Sequence, residues 1–217
     1  MDTAMRGAEL ASMLKSSTQF KSHDGVRCPE LDLAPQDKKW WQDAKIGLFF
    51  HWGLYSALGK GEWAMFNESI PCEIYRKQMD SFNPQDFDMH SLTGLAKDFG
   101  AKYMVLVTRH HDGFSMWDSR GSHEGYTSMR AAAKRDFVRE YVEACRDDGL
   151  RVGLYYSPMD WRFKGYFDPT GEPESAAAMK AQAYAQVEEL CRDYGPVDIL
   201  WYDGGWLSHR GTDADAA

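Results

Sequence analysis

Long hydrophobic stretches are missing from this sequence: no apolar run approaches the roughly 20 residues that span a bilayer. The opening residues, Met1-Asp2-Thr3-Ala4-Met5-Arg6, lead into a mixed polar segment instead of the apolar core of a secretory leader. A membrane partner is not expected, and the expectation is a soluble, cytoplasmic protein. Positive charge is in short supply, with 25 Lys and Arg against 33 Asp and Glu and a formal net charge of -8. Such a surface repels phosphate backbones, which argues against nucleic acid as a partner. Cysteine is sparse as well. Cys28, Cys72, Cys145 and Cys191 stand far apart and form no CxxC pair, so neither a zinc site nor a redox site is expected. Cys145 and Cys191 fall in expected helices and read as buried thiols.

What is present is a chain of 217 residues with 43% apolar content, enough to bury the core of one domain. Aromatic residues are plentiful, 8 Trp and 11 Tyr, and several stand beside Gly, His and Asp instead of in periodic stripes. Sugar-binding clefts use such rings, because the C–H face of a pyranose stacks on them while its hydroxyls take hydrogen bonds. Ordinary core and surface aromatics would give the same composition.

Residues 1–38 are polar, with Pro29 and Pro35, and read as an N-terminal arm or lead-in; residues 39–217 read as the folded unit. Four apolar runs, 46–50, 103–107, 151–156 and 197–202, look like strands. They lack in-out alternation, which suits a parallel sheet covered on its outer face. Helical patterns lie between them at 89–99, 136–148 and 174–194. The first two end at Gly100 and Gly149, where glycine supplies the left-handed cap. The first residues of the runs, Ile46, Tyr103, Arg151 and Val197, are 57, 48 and 46 residues apart, which implies elaborated loops after the strands. Strand-helix repetition of this kind predicts an α/β fold, an α/β barrel or an open parallel sheet.

Polar residues gather where those strands end: His51 after the first, Arg109-His110-His111-Asp112 after the second, residues 157–160 after the third and Asp203 after the fourth. In a β/α barrel all these ends open on one face, where active sites are built. His110 and His111 would project in different directions if their strand persisted, so both reach the axis only if the chain has already turned.

The segment Lys45-Ile46-Gly47-Leu48-Phe49-Phe50-His51-Trp52-Gly53-Leu54-Tyr55-Ser56 resembles the first-strand signature of the family 29 α-L-fucosidases. Glu62-Trp63, Arg109-His110-His111-Asp112-Gly113-Phe114, Gly153-Leu154-Tyr155-Tyr156-Ser157 and Trp201-Tyr202-Asp203-Gly204 are similar, in order and approximate spacing, to further blocks of that family. The resemblance implies a TIM-type barrel and a retaining exo-glycosidase that removes terminal α-L-fucosyl residues without a cofactor or metal. It implies Asp203 as catalytic nucleophile, with His51, Glu62, Trp63, His110, His111, Tyr156 and Trp201 binding fucose. Plainer readings stand beside these: a strand-end His is often a structural hydrogen-bonder, Trp63 could anchor a loop, and Tyr156 could be barrel core. Gly204 and Gly205 would let backbone approach the sugar, or simply form a turn.

Family members carry eight strands, and their acid/base Glu follows the nucleophile strand at a distance. Only four strand runs are found here, so the expected structure is about half of a β/α barrel, whether as a fragment or as a natural short form. No residue matches the family's acid/base; Glu62, Asp112 and Asp160, all on strand-end loops, remain open for that role. Half a barrel leaves two open edges, which predicts a homo-oligomer, or else a monomer whose N-terminal arm covers the open face. Two other functions compete: a metal-dependent hydrolase using His51, His110, His111 and Asp203, and a non-catalytic fucose-binding half-domain.

Overall fold

A computed structural model describes residues 32–204. Most of the expected lead-in, Cys28, Gly205 and the polar tail therefore lie outside the described residues. Helix α1 (Pro35–Ala44) begins within the last residues assigned to that lead-in. Pro35 sits in its first turn, where no amide donor is needed, and Asp37 complements the positive end of the helix.

Four strands follow: β1 (Gly47–Phe50), β2 (Tyr103–Arg109), β3 (Arg151–Tyr156) and β4 (Ile199–Tyr202). All pair in parallel, in the spatial order β1-β2-β3-β4. The α/β reading therefore holds. The first and last strands start later than the apolar runs suggest, and the second continues to Arg109.

The elaborated loops are real. Between β1 and β2 lie α2 (Ala64–Asn67), α3 (Cys72–Arg76) and α4 (Met89–Asp98), with 3-10 turns at Leu54–Leu58 and Lys77–Asp80. Helix α5 (Phe137–Asp147) connects β2 to β3, and α6 (Lys164–Phe167) with α7 (Pro173–Asp193) connects β3 to β4. Side chains cap two of these helices. The Asp88 carboxylate accepts from the amides of His90 and Ser91 at the start of α4, and Asp136 accepts from that of Arg139 at the start of α5. At the other ends Gly100 (φ 91°) and Gly149 (φ 71°) take the expected left-handed cap, and the next residues, Ala101 and Leu150, donate back to the carbonyls of Ala96 and Cys145.

The two faces of the sheet have different cores. Met104, Leu106, Val152, Leu154 and Tyr156 join the main buried cluster with Phe137, Val138, Tyr141 and Cys145 of α5 and Leu190 of α7. The opposite face, which would be the barrel interior, holds a small second cluster of Val105, Val107 and Tyr155. Phe49 and Trp201, 37% and 51% exposed, border it. Cys145 is buried, but Cys191 is exposed, contrary to the expectation for that thiol. It shares a helix stripe with Tyr184, also exposed, and among the described residues no helix follows β4 to cover that stripe.

One irregularity decides which side chains reach the interior. Val107 pairs with Tyr155, yet the next pair is Arg109 with Tyr156, so β2 carries one extra residue, Thr108. A bulge of this kind shifts the two-residue side-chain phase by one. Arg109 consequently joins Tyr156 on the helix-covered face, and His110 turns toward the interior. The Thr108 hydroxyl secures the bulge by donating to the Tyr155 carbonyl at 2.7 Å.

Candidate active site

The ends of the four strands bring one aromatic and imidazole cluster together. After β1, the His51 ring lies 5.2 Å from Phe49, 5.6 Å from Tyr155 and 5.9 Å from His110. After β2, the chain leaves strand geometry at once, and His110 and His111 lie with ring centroids 4.0 Å apart. Both are therefore in the cluster, the outcome that required the chain to have turned. Trp63, immediately before α2, packs 5.2 Å from His111 and 5.2 Å from Trp161. At the end of β4, Trp201 meets Phe49 edge-on at 5.4 Å, and its inward neighbour two residues on is Asp203.

Asp203 is the carboxylate at the centre. Its Oδ2 accepts a hydrogen bond from the Tyr155 hydroxyl at 2.6 Å and lies 3.7 Å from His111 Nε2. Its side chain is 36% exposed, and among the described residues no side chain donates to Oδ1. Backbone fixes its position: the Asp203 amide donates to the Tyr156 carbonyl at 3.1 Å, continuing the β3–β4 ladder by one residue. Gly204 follows with φ of 87°, and a Cβ there would lie 2.6 Å from Met159 Sδ. Glycine therefore lets the chain turn away directly after the carboxylate.

Electrostatics separates the cluster into neutral and ionic layers. Burial, assisted by the neighbouring His111, His51 and Arg109, holds the His110 imidazole far below its ordinary pKa, so it is neutral. Burial also lowers His111, to about 4, against the opposing pull of Asp203. The Tyr155 hydroxyl is pushed up, by burial first and then by the Asp203 carboxylate, and so remains a donor. Beneath these groups, on the helix side, Asp160 accepts from Arg109, Arg162 and Gln182. Burial would raise this carboxyl, but the two guanidinium groups outweigh it and hold Asp160 well below the usual carboxylate range.

A family model described as alpha-L-fucosidase matches residues 15–216. The chain belongs to the α-L-fucosidase family. It is 31% identical over 196 residues to the human tissue alpha-L-fucosidase, covering 82% of this chain and 41% of that protein. Alpha-L-fucosidase isoenzyme 1 from Paenibacillus thiaminolyticus is similar in structure, with a TM-score of 0.68 and 37% identity over 77% of this chain and 42% of that one. So is a GH29 alpha-L-fucosidase from Bacteroides thetaiotaomicron, solved as a trapped covalent intermediate with 2-fluoro-fucosyl fluoride, with a TM-score of 0.73 and 30% identity over 81% of this chain and 43% of that one. The chain thus spans about two fifths of the length of such relatives. These likenesses identify its four-stranded sheet as part of the barrel of α-L-fucosidases.

In this fucosidase-family chain, six of the seven residues expected to bind sugar, His51, Glu62, Trp63, His110, His111 and Trp201, lie at or beside the cluster around Asp203. Glu62 is half-buried and close enough for its charge to raise the Tyr55 and Tyr155 hydroxyls. The seventh, Tyr156, is a correction. It is 0% exposed and on the opposite face, where its hydroxyl meets Gln186 at 2.9 Å and Arg109 at 3.3 Å. Tyr155 occupies the interior in its place. Asp112 and Asp160, two of the three carboxyls left open as proton donors, are both enclosed. Asp112 accepts from the Phe114 amide at 3.0 Å and the Tyr75 hydroxyl at 2.8 Å, and Asp160 lies in the ionic layer. Sequence reasoning placed Ser157 at a strand end but gave it no role, and its Oγ is 2.6 Å from His111 Nδ1; it passed over Trp161, which packs against both histidines. Among the described residues, no three His, Cys, Asp or Glu side chains are grouped as a metal site requires, and no helix is long and apolar enough to cross a membrane.

Proposed function

We propose that this chain carries the fucose pocket and the nucleophile of a retaining α-L-fucosidase acting on terminal α-L-fucosyl residues of fucosides and fucosylated glycans. The observation that carries the reading is the state of Asp203. One carboxylate oxygen is held by Tyr155 and faces His111, while the side chain opens toward the pocket. A nucleophile needs that combination of a fixed carboxylate and an available oxygen.

In the first step Oδ1 of Asp203 attacks the anomeric carbon. The glycosidic C–O bond breaks, its electron pair leaves with the aglycone oxygen, and a fucosyl ester forms on Asp203. In the second step a water oxygen attacks the same carbon and loses one proton to solvent, which balances the proton the departed aglycone oxyanion takes up. The ester C–O bond breaks with its electron pair returning to the Asp203 carboxylate, and fucose leaves with its original anomeric configuration. His51, His110 and Glu62 offer hydrogen bonds to sugar hydroxyls, while Trp63 and Trp201 present faces to the apolar side of the ring. Of the three candidate proton donors Asp112 and Asp160 are enclosed, and Glu62, half-buried beside the pocket, serves as a sugar contact. Aryl fucosides, whose leaving groups depart without a proton, are therefore the informative substrates.

The test is an Asp203→Gly variant of the full chain assayed on an aryl α-L-fucoside. Turnover is expected to fall by several orders of magnitude with unchanged circular dichroism, and sodium azide is expected to restore part of it as a fucosyl azide. Near wild-type turnover in the variant would remove Asp203 from the role.

A further inference from the structure

Ser157 lies at the end of β3, 0% exposed, with its hydroxyl oxygen 2.6 Å from Nδ1 of His111. The opposite ring nitrogen, Nε2, faces Oδ2 of Asp203 at 3.7 Å. The imidazole thus bridges a hydroxyl and the carboxylate that the proposed function takes as nucleophile. Which nitrogen carries the proton determines whether the ring offers Asp203 a donor or a lone pair.

The local hydrogen bonds favour one answer. The Met159 amide donates to Ser157 Oγ at 3.2 Å, so an acceptor position of that oxygen is already occupied. Its own proton can go to His111 Nδ1 at 2.6 Å or to the Met159 carbonyl at 3.4 Å, and the first is far the better geometry. The reverse tautomer would place an Nε2 lone pair against the carboxylate oxygen, with no proton between them. Other charged and titratable groups that act on the ring among the described residues are Arg109 on β2, His51 after β1 and the adjacent His110, and the hydrogen bond at Nδ1 is the one with Ser157.

Backbone holds the pair in register. The Ser157 amide donates to the Arg109 carbonyl at 3.1 Å, the Arg109 guanidinium returns a bond to the Ser157 carbonyl, and the Trp161 amide donates to the His111 carbonyl at 2.9 Å. The loops after β2 and β3 are stitched together on both sides of the Ser157–His111 contact. The hydroxyl is therefore presented to Nδ1 by main chain and not by a mobile side chain.

We infer that Ser157 is a positioning residue: by donating to Nδ1 it holds His111 as the Nε2–H tautomer, which directs an N–H toward Oδ2 of Asp203. The ring then supports the same oxygen that Tyr155 binds and leaves Oδ1 free. This inference rests on the reading of Asp203 as nucleophile for its kinetic consequence only, since the tautomer is a property of the unliganded chain.

The experiment is a long-range proton–nitrogen correlation spectrum of the 15N-labelled full chain near neutral pH, with the His111 signals identified by their loss in His111→Asn. The wild type is expected to show an unprotonated Nδ1 and a protonated Nε2, Ser157→Ala to lose that pattern toward a tautomer mixture, and Ser157→Thr to regain it. A protonated Nδ1 in the wild type, or an unchanged pattern in Ser157→Ala, overturns the inference. On an aryl α-L-fucoside, Ser157→Ala is expected to lower kcat about tenfold, the worth of one hydrogen bond, with KM within about twofold and recovery in Ser157→Thr. A changed tautomer with unchanged kcat overturns the catalytic part. Absence of turnover in the wild type, with the expected tautomer present, counts against the proposed function and leaves the tautomer assignment standing.

Discussion

The hydroxyl of Tyr155 donates to Oδ2 of Asp203 at 2.6 Å, and its neighbour Tyr156 points through the sheet to Gln186. Two adjacent residues of the same type therefore serve opposite faces, and their replacement separates catalysis from stability. Tyr155→Phe is expected to lower kcat on an aryl fucoside by about 10- to 100-fold, the worth of a hydrogen bond to a charged group, with little change in unfolding free energy. Tyr156→Phe is expected to do the reverse, costing about 1–3 kcal/mol in urea unfolding because Gln186 and Arg109 lose a buried partner. Steady-state kinetics and denaturation on both variants decide the assignment, and the opposite pattern would return Tyr156 to the pocket.

Neutral histidines in the pocket make stability depend on pH. His110 and His111 are held below the value of about 6.5 that they take when unfolded, so between those limits the unfolded chain binds protons that the folded chain does not. Their contribution is complete above pH 6.5 and is lost as pH falls toward about 4, the folded value for His111. Asp112, raised by burial to about 6, and Asp136, also raised by burial, work in the other direction below pH 6. Two histidines shifted further than these carboxyls leave a net loss of up to about 1.4 kcal/mol per pH unit for each excess proton. Thermal melts at pH 5 and pH 7 are expected to give the lower Tm at pH 5; equal or reversed values would mean that the histidines are not buried as neutral rings.

The ionic layer beneath the pocket is expected to dominate over any surface pair. Asp160→Asn leaves the guanidinium groups of Arg109 and Arg162 without a counter-charge at a site with no exposure, a loss of about 3–5 kcal/mol. Glu68→Gln, which breaks the solvent-exposed contact with Lys60, is expected to change stability by less than about 1 kcal/mol. Guanidinium unfolding of the two variants measures the difference.

Much of the fold was legible in the sequence because its signals are local. Continuous apolar runs marked the strands, and Gly100 and Gly149 marked helix ends whose φ values are 91° and 71°. The same continuity concealed orientation: a strand covered on both faces has no alternation to tell Tyr155 from Tyr156. Thr108 added a second obstacle, since a bulge is set by pairing with another strand and leaves no mark in its own residues. Asp160 looked like a pocket carboxyl because it follows β3 closely. Arg162 stands two residues away in the same loop, but the carboxyl's partners Arg109 and Gln182 come from segments that only the tertiary structure brings to it.

Strands β1 and β4 each pair on one side only among the described residues, and the interior face between them leaves Phe49 and Trp201 in contact with solvent. Unpaired edges beside exposed rings favour self-association. Light scattering of the full chain at micromolar concentration is expected to give a multiple of 24.8 kDa. A single species at 24.8 kDa with undiminished fucoside turnover would reject the oligomer and favour cover by the N-terminal arm.

Thr108 never touches the carboxylate, yet it sets the parity of everything downstream of it on β2. Were β2 paired with β3 one residue for one, Thr108 would stand opposite Tyr156, Arg109 would enter the pocket and His110 would face the helices, exchanging a neutral ring for a permanent cation beside Asp203. The chemical character of the pocket thus depends on how β2 pairs with β3 as well as on which residues it carries, and closing the bulge with Thr108 retained would alter it more than most substitutions at the residues that line it.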